Sequence, residues 1–202
     1  QPVNPLPAAG EEPLPSVKHR VNPRKPLKGF DSNPEINADL ERRRVEKLQC
    51  SGLTAEDGDA LGIGVCLTRA WRNYGVLSAP ALEISYFNPV DGTPLPDGRG
   101  TGYVRHRYLG DTSPPATPEA KFPKYKGRWG TLIRAYFPVG LGTDWPRVLR
   151  DPAQDLIITE GELKAAKACK EGFPTIGLGG VDAFRQTKRG IHFLSELEDI
   201  EW

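Results

Sequence analysis

A strand–helix–strand pattern between residues 155 and 180 constrains the fold of this 202-residue chain more than any other feature. Short apolar runs occupy 155–159 and 173–178, and a helical pattern over 162–171 lies between them. This order is typical of a βαβ unit, in which the two strands run parallel. We therefore predict that the first strand is buried in a parallel sheet. The helix is predicted to bury three side chains: Leu163, Ala166 and Cys169.

A glutamate–glycine pair separates the first of these strands from the helix. Open sheets of parallel strands place their ligand sites at the carboxyl ends of the strands, which is where Glu160 stands. Gly161 permits a tight turn, and the start of the following helix offers free backbone donors and a positive dipole. Glu160 and Glu162 would suit Mg²⁺, which takes few direct carboxylate bonds. Glutamate in a first helical turn is also ordinary capping chemistry, so this pattern alone leaves both interpretations open.

The chain before this unit divides into a tail and a second module. Eight prolines in residues 1–34 predict a disordered tail, either a flexible linker or a segment that docks on a partner. Residues 35–148 are predicted to form an α+β module that is rich in strands, and 149–202 an α/β module with a parallel sheet. The elements predicted in the first module are an amphipathic helix over 35–48 with Pro34 at its start, a short helix through Leu61 with a capping box of Thr54 and Asp57, and strands over 82–87, 102–108 and 131–137.

Positive charge and aromatic rings are concentrated between residues 99 and 134. This stretch carries eight Lys and Arg against two acidic residues, whereas the whole chain has a net charge of only +1. Cations contact a phosphate backbone, and flat rings stack on unpaired bases at about 1–3 kcal/mol each. The pattern predicts contacts with single-stranded nucleic acid; the alternative is that the rings are core and the cations a solvated face. The candidate binding residues are Tyr103, Arg105, Arg107, Lys124, Lys126, Arg128 and Trp129.

Other patterns exclude several classes of protein. No apolar stretch approaches the length of a membrane span, and no secretory signal is visible. The three cysteines, at positions 50, 66 and 169, form neither a disulfide scaffold nor a C-x-x-C zinc motif, which favours a reducing cytoplasm. His106 has no second His or Cys at ligand spacing, so we interpret it as a surface or pairing residue. The run 42–44 of three arginines is interpreted as a solvated helix face or, alternatively, as a phosphate contact.

Beyond the general pattern, residues 158–184 read ITEGELKAAKACKEGFPTIGLGGVDAF. This string resembles the first half of a Toprim domain, the fold shared by bacterial-type primases, topoisomerases and some nucleases. It is most similar to the Toprim-like region of phage and plasmid replication proteins, whose form is EGE-x-KA followed by G-x-P-x-IGLGGV. A weaker similarity extends back to about residue 50 through short motifs: 84–89, 105–107, 124–125 and 136–138.

The resemblance implies metal-dependent nucleotidyl transfer by a mobile-element primase or primase–helicase. It implies Mg²⁺ or Mn²⁺ as the cofactor, single-stranded DNA template and nucleotides as partners, a helicase domain in the same polypeptide, and the cytoplasm of a bacterial host. Glu160 would be the acid–base group or metal ligand, supported by Glu162 and Lys164. A loop of glycines would let nucleic acid approach closely: Gly161, Gly179 and Gly180.

Two departures from the family pattern qualify this expectation. Lys164 stands where bacterial-type primases carry an Asp, and no Asp-x-Asp metal element follows Gly161. Together with the absence of Met, this leads us to expect a fragment of a longer replication protein that is inactive by itself. The alternatives are a non-catalytic single-stranded-DNA-binding or assembly module on a degenerate Toprim scaffold, and a fragment of a Toprim nuclease or topoisomerase.

Overall fold

We analysed a computed structural model of the chain. It describes residues 34–72, 75–98, 100, 102–109, 124–127, 131–180, 183, 185–186, 192–194, 197 and 200. The predicted tail up to residue 33, and the candidate residues Arg128 and Trp129, lie outside the described residues. Within the described residues, no helix combines the length and the apolar character needed to cross a bilayer.

Two helices open the described chain, as the sequence predicts. Helix α1, Pro34–Gln49, begins on the predicted proline, and helix α2 spans Ala55–Ala60. The capping box is present: Thr54 Oγ1 accepts from the Asp57 N–H, and an Asp57 carboxylate oxygen accepts from the Thr54 N–H at 2.7 Å. These bonds satisfy two donors that the helix start would otherwise leave unpaired.

Arg44 corrects the prediction that the arginine run is simply a solvated face. Its side chain is buried, its Nε donates to the backbone carbonyl of Ile63 at 2.7 Å, and its Nη2 contacts the Asp59 carboxylate. Arg44 therefore ties α1 to α2 and to the strand that follows. Arg42 and Arg43 stay on the outer face, where both pair with Asp39 one turn earlier.

A four-stranded antiparallel sheet follows in the order β1–β2–β3–β4. Its strands are β1 Ile63–Arg72, β2 Gly75–Ser85, β3 Val104–Tyr108 and β4 Tyr125–Gly127. Strand β3 and the end of β2 match the strands predicted over 102–108 and 82–87, whereas the sequence interpretation missed β1 and β4. Ile63 and Val65 of β1 and Leu82 and Ile84 of β2 are buried on the face that packs against the helices.

The strand–helix–strand prediction is confirmed in its order and its parallel pairing. A short helix, α3 Trp145–Val148, precedes this unit. Strand β5, Ile157–Glu160, pairs in parallel with β6, Thr175–Leu178. Helix α4, Glu162–Lys170, connects the two strands. The three side chains of α4 that were predicted to be buried, Leu163, Ala166 and Cys169, are buried, and so are Glu162 and Ala165. The predicted burial of β5 is wrong, because Ile157 and Ile158 are both more than 40 % exposed. Within the described residues β5 pairs only with β6, so it is not flanked by strands on both sides.

The strand predicted over 131–137 is also wrong. Burial along it does not alternate, since Leu132 and Ile133 are both exposed and Ala135 to Phe137 are all buried. The segment is irregular, and it contacts the parallel unit through one antiparallel bridge, in which Tyr136 and Gly177 exchange backbone hydrogen bonds of 2.8 and 2.9 Å. A short antiparallel pair, β7 Arg185–Gln186 and β8 His192–Phe193, completes the described elements.

Helix α4 contributes to both large hydrophobic clusters. Leu163, Ala165 and Ala166 pack in the cluster that contains the buried faces of α1, β1 and β2. Cys169 packs in the other cluster, with Trp145 of α3 and Ile176 of β6. The protein is therefore a mixed α/β structure in which the antiparallel sheet and the parallel unit share buried side chains. The boundary between the two modules that the sequence predicts near residue 149 stays a prediction.

Candidate functional site

A pocket of about 540 Å³ lies where the start of α4 faces the end of α1 and the β3–β4 pair. Among its described lining residues, five side chains are cationic and one, Glu160, is a carboxylate. The lining residues are Lys47, Cys50, Ser51, Arg107, Lys124, Tyr125, Glu160, Gly161, Leu163, Lys164, Lys167 and Ala168. A concave surface lined by one sign of charge concentrates ligands of the opposite sign. The lining charge of the pocket therefore favours the binding of anions.

The first turn of α4 adds backbone donors to this pocket. Gly161 occupies the N-cap position with φ +94°, and no side chain among the described residues caps the helix. A residue with a Cβ rarely adopts that backbone angle, so glycine is what allows the chain to turn from β5 directly into the helix. The first N–H groups of a helix point outward and carry the positive end of its dipole, which favours an anion at this position.

Three cations of the pocket lie at its β3–β4 wall and at the end of α1. The guanidinium of Arg107 lies over the ring of Tyr125 at 5.3 Å, and its Nε is buried without a hydrogen-bond partner in the described structure. Burial, together with the charges of Arg107 and Lys124, lowers the pKa of Lys47. These cations repel one another in the ligand-free protein, and a bound anion would relieve that repulsion.

Glu162 lies under the pocket, not in it. Its side chain is 1 % exposed, and one carboxylate oxygen accepts from Arg105 Nη1 at 2.6 Å and from the Tyr86 hydroxyl at 2.7 Å. Its other oxygen is buried with no partner in the described structure. A carboxylate held in this way joins α4 to strand β3 and fixes Arg105. It cannot reach a ligand in the pocket without breaking a buried ion pair.

Two further candidates lie next to the side chains that bind Glu162. Tyr103 is 4 % exposed, and its ring meets that of Tyr86 edge to face at 4.9 Å, so the hydrophobic core accounts for it. At Gly179, an added Cβ would lie 2.6 Å from Nη1 of Arg105. Gly179 is exposed, and the absence of a side chain there leaves room for this guanidinium. Gly180 faces open space.

The structure thus sorts the residues singled out by the sequence into three places. Glu160, Gly161, Lys164, Arg107 and Lys124 meet in the pocket. Glu162 and Tyr103 are buried beneath it, Arg105 is partly buried beside Glu162, and Gly179 is exposed next to Arg105. Lys126 pairs in register with His106, which places it on the opposite face of the sheet from Arg105 and Arg107.

Sequence reasoning missed two cations of the pocket, Lys47 and Lys167. Lys47 lies in the last turn of α1, far in sequence from the βαβ unit, so no local pattern could link them. Lys167 follows Lys164 by three residues on α4 and therefore shares a helix face with it, a signal that was available. Its amine pairs with Glu171.

A second cluster missed by the sequence lies on the opposite face of the antiparallel sheet. Cys66 of β1, Glu83 of β2 and His106 of β3 each offer a metal-ligand atom, and these atoms all lie within 4.8 Å of one another. Burial, and then the charge of Glu83, raise the pKa of the Cys66 thiol to about 12. The three residues come together only through the strand register, which sequence spacing does not reveal.

Comparison with known protein families gives a match in the C-terminal part of the chain. Residues 144–197 match a family described as a domain of unknown function, DUF3854. The matched segment contains α3 and the whole β5–α4–β6 unit, including Glu160 and Gly161, but less than half of the chain. No curated protein and no solved structure matches.

Proposed function

We propose that the pocket binds the phosphate groups of single-stranded DNA and of nucleotides. The observation that carries this proposal is the lining of five cationic side chains around the uncapped start of α4. Phosphate binding at helix starts relies on such backbone donors, and Lys and Arg add the charge that fixes a nucleic-acid backbone. Lys164 contributes a point charge at the turn, while Arg107 and Lys124 extend the positive surface along β3 and toward β4.

Glu160 fits the role of a metal-binding carboxylate in this setting. It is exposed at the carboxyl end of β5 and lines the pocket beside the cations. Mg²⁺ and Mn²⁺ in phosphoryl-transfer sites are bound by one or two carboxylates together with substrate phosphates, so one glutamate facing a phosphate pocket is a suitable donor set. The ion would neutralise phosphate charge. Glu160 would hold it, and Lys164 and the α4 amides would orient the phosphate.

At the level of the whole protein, we propose a mobile-element primase or primase–helicase with a Toprim-like domain. The parallel β5–α4–β6 unit, with Glu160-Gly161 at its turn, supports this proposal because it matches the order of elements that the resemblance implies. Glu162 is assigned a different part from the one expected. It positions Arg105 and α4 and does not touch substrate.

Phosphate binding can be tested with a fluorescently labelled single-stranded oligonucleotide and fluorescence anisotropy over a range of salt concentrations. We expect the double variant Lys124→Ala, Lys164→Ala to bind at least about tenfold more weakly, with a salt slope shallower by about 1.4, since each phosphate contact on a single strand contributes about 0.7. The control is Arg150→Ala, which removes an exposed cation outside the pocket. Equal affinities for wild type and double variant, or an equal loss in the control, would refute the assignment.

Catalysis is tested separately, with Glu160→Gln in the full-length protein and a primer-synthesis assay. We expect synthesis to be lost almost completely, because the neutral amide is a much weaker ligand for Mg²⁺, while single-stranded-DNA binding is retained. Undiminished synthesis would contradict the role of Glu160.

A non-catalytic DNA-binding module is the second candidate function. It is favoured by one observation: among the described lining residues, Glu160 is the one carboxylate that the pocket offers to a metal. Metal-independent DNA binding, with no primer synthesis by the full-length wild type, would select this candidate. Metal-dependent nicking of DNA would instead select a nuclease.

A further inference from the structure

The cluster of Cys66, Glu83 and His106 occupies three neighbouring strands of the antiparallel sheet. Glu83 and His106 are paired in register across β2 and β3, and Cys66 of β1 is one diagonal step from Glu83. Residues paired across strands point to the same face, so the three side chains project together on the side away from the basic pocket.

The distances within the cluster are those of a nearly formed metal site. Nε2 of His106 lies 3.4 Å from a carboxylate oxygen of Glu83, and all three ligand atoms lie within 4.8 Å of one another. Ligands at the usual zinc distances of roughly 2.0–2.3 Å in a tetrahedron are separated by about 3.3–3.8 Å. The His–Glu separation already matches this value, and a small movement of the Cys66 side chain completes the triangle.

The donor set and the surroundings select the kind of metal. Thiolate and imidazole are ligands of Zn²⁺ and similar transition metals, whereas Mg²⁺ prefers oxygen donors only. The Glu83 and His106 side chains are 15 % and 19 % exposed, so the cluster is sheltered and still accessible to an ion. Lys126 lies on the same face, paired in register with His106 across β3 and β4. Its ammonium group donates hydrogen bonds but has no lone pair with which to bind a metal ion.

We infer that Cys66, Glu83 and His106 form a Zn²⁺ site that clamps strands β1, β2 and β3 together. Three protein ligands leave a fourth position for water, as in zinc sites that remain open. The site is distinct from the proposed Mg²⁺ position at Glu160, in both its ligand chemistry and its face of the sheet. Its effect on the pocket is indirect: fixing His106 fixes the strand that carries Arg105 and Arg107 on the other side.

The test uses the purified whole chain, stripped with a chelator and titrated with Co²⁺ as a spectroscopic substitute for Zn²⁺. We expect one Co²⁺ per chain, a thiolate-to-cobalt charge-transfer band and d–d bands of tetrahedral intensity, all displaced by Zn²⁺. Cys66→Ser should abolish the charge-transfer band. Cys50→Ser, which removes an exposed thiol outside the cluster, should leave it unchanged. His106→Gln and Glu83→Gln should each weaken binding by more than about tenfold.

A second measurement keeps the inference testable if Cys66→Ser does not fold. Zn²⁺ should raise the melting temperature of the wild type and of Cys50→Ser, whereas Mg²⁺ at equal concentration should not. The absence of a charge-transfer band in the wild type would overturn the site. So would a band that disappears in Cys50→Ser, or a Zn²⁺-induced rise in melting temperature that His106→Gln leaves unchanged.

Discussion

The buried carboxylate of Glu162 allows a prediction that separates structure from catalysis. Glu162→Gln keeps the shape of the side chain, and its amide oxygen still accepts from Tyr86 and Arg105. The substitution removes the negative charge opposite the Arg105 guanidinium, which is itself only 14 % exposed. It also places an amide N–H₂ at the position of the carboxylate oxygen that has no partner in the described structure.

Both changes cost free energy. A hydrogen bond to a charged group contributes about 1.5–3 kcal/mol, against about 0.5–1.5 kcal/mol for a neutral one, and a buried donor without a partner costs about 1–3 kcal/mol. Breaking a buried ion pair outright costs about 3–5 kcal/mol. We therefore expect Glu162→Gln to lower the free energy of unfolding by about 3 kcal/mol. For a chain of this size, that is a fall of about 6–12 °C in the melting temperature.

The assay is thermal and urea unfolding followed by circular dichroism, with Glu160→Gln as the matched control. Glu160 carries the same side chain two residues earlier but is exposed, so its substitution should change stability by no more than about 0.5 kcal/mol. The reasoning is refuted if the two variants melt together, or if Glu162→Gln melts within about 2 °C of wild type. As a further check, the double variant Arg105→Met, Glu162→Met should be more stable than Glu162→Met alone, because no charge is then left buried and unpaired.

Three other predictions follow from the same contacts. Gly161→Ala should destabilise the fold by about 1–3 kcal/mol in urea unfolding, because alanine is strained at φ +94°; an unchanged midpoint would contradict the turn geometry. Lys47→Gln should flatten the pH dependence of stability. The pKa of Lys47 is lower in the folded protein than in the unfolded chain, so at pH values between these two pKa values the unfolded chain binds more protons. The stability of the wild type should therefore rise with pH over this range. The measurement is thermal unfolding of both proteins from neutral to alkaline pH. A difference in melting temperature between wild type and variant that does not change with pH would disprove this prediction. Thr54→Ala should cost about 1 kcal/mol by removing the N-cap of α2, measured by thermal denaturation, and Thr54→Ser should recover most of that loss.

Local chemistry accounts for the parts of the fold that the sequence predicted well. Pro34 at the start of α1, the Thr54–Asp57 capping box and the glycine turn at Gly161 depend on residues within one or two turns of each other. The β5–α4–β6 order follows from hydrophobic periodicity in one short segment. Each of these interactions is made within a few residues of chain, so the sequence carries it directly.

Long-range packing explains what the sequence did not predict. Tyr103 lies in a basic, aromatic stretch that resembles a binding surface, yet its ring fills the core against Tyr86. Glu162 and Glu160 are two residues apart and were assigned one role, but the turn of the helix sends Glu162 toward Arg105 on another strand. Burial of β5 was wrong because it depends on what pairs with and covers that strand, and periodicity does not report this.

Strand β3 connects the proposals because its successive side chains point alternately to the two faces of the sheet. Arg105 and Arg107 project toward the α4 side, and His106 between them projects to the reverse side. Deleting one codon before Arg105 would shift the strand by one step, turning the arginines to the face that carries Cys66 and Glu83 and the histidine to the face of the basic pocket. A two-codon deletion would restore the alternation with other side chains. The register of this five-residue strand therefore keeps both groups of side chains on their faces of the sheet. Changes in the length of the chain at this position should be tolerated far less readily than substitutions.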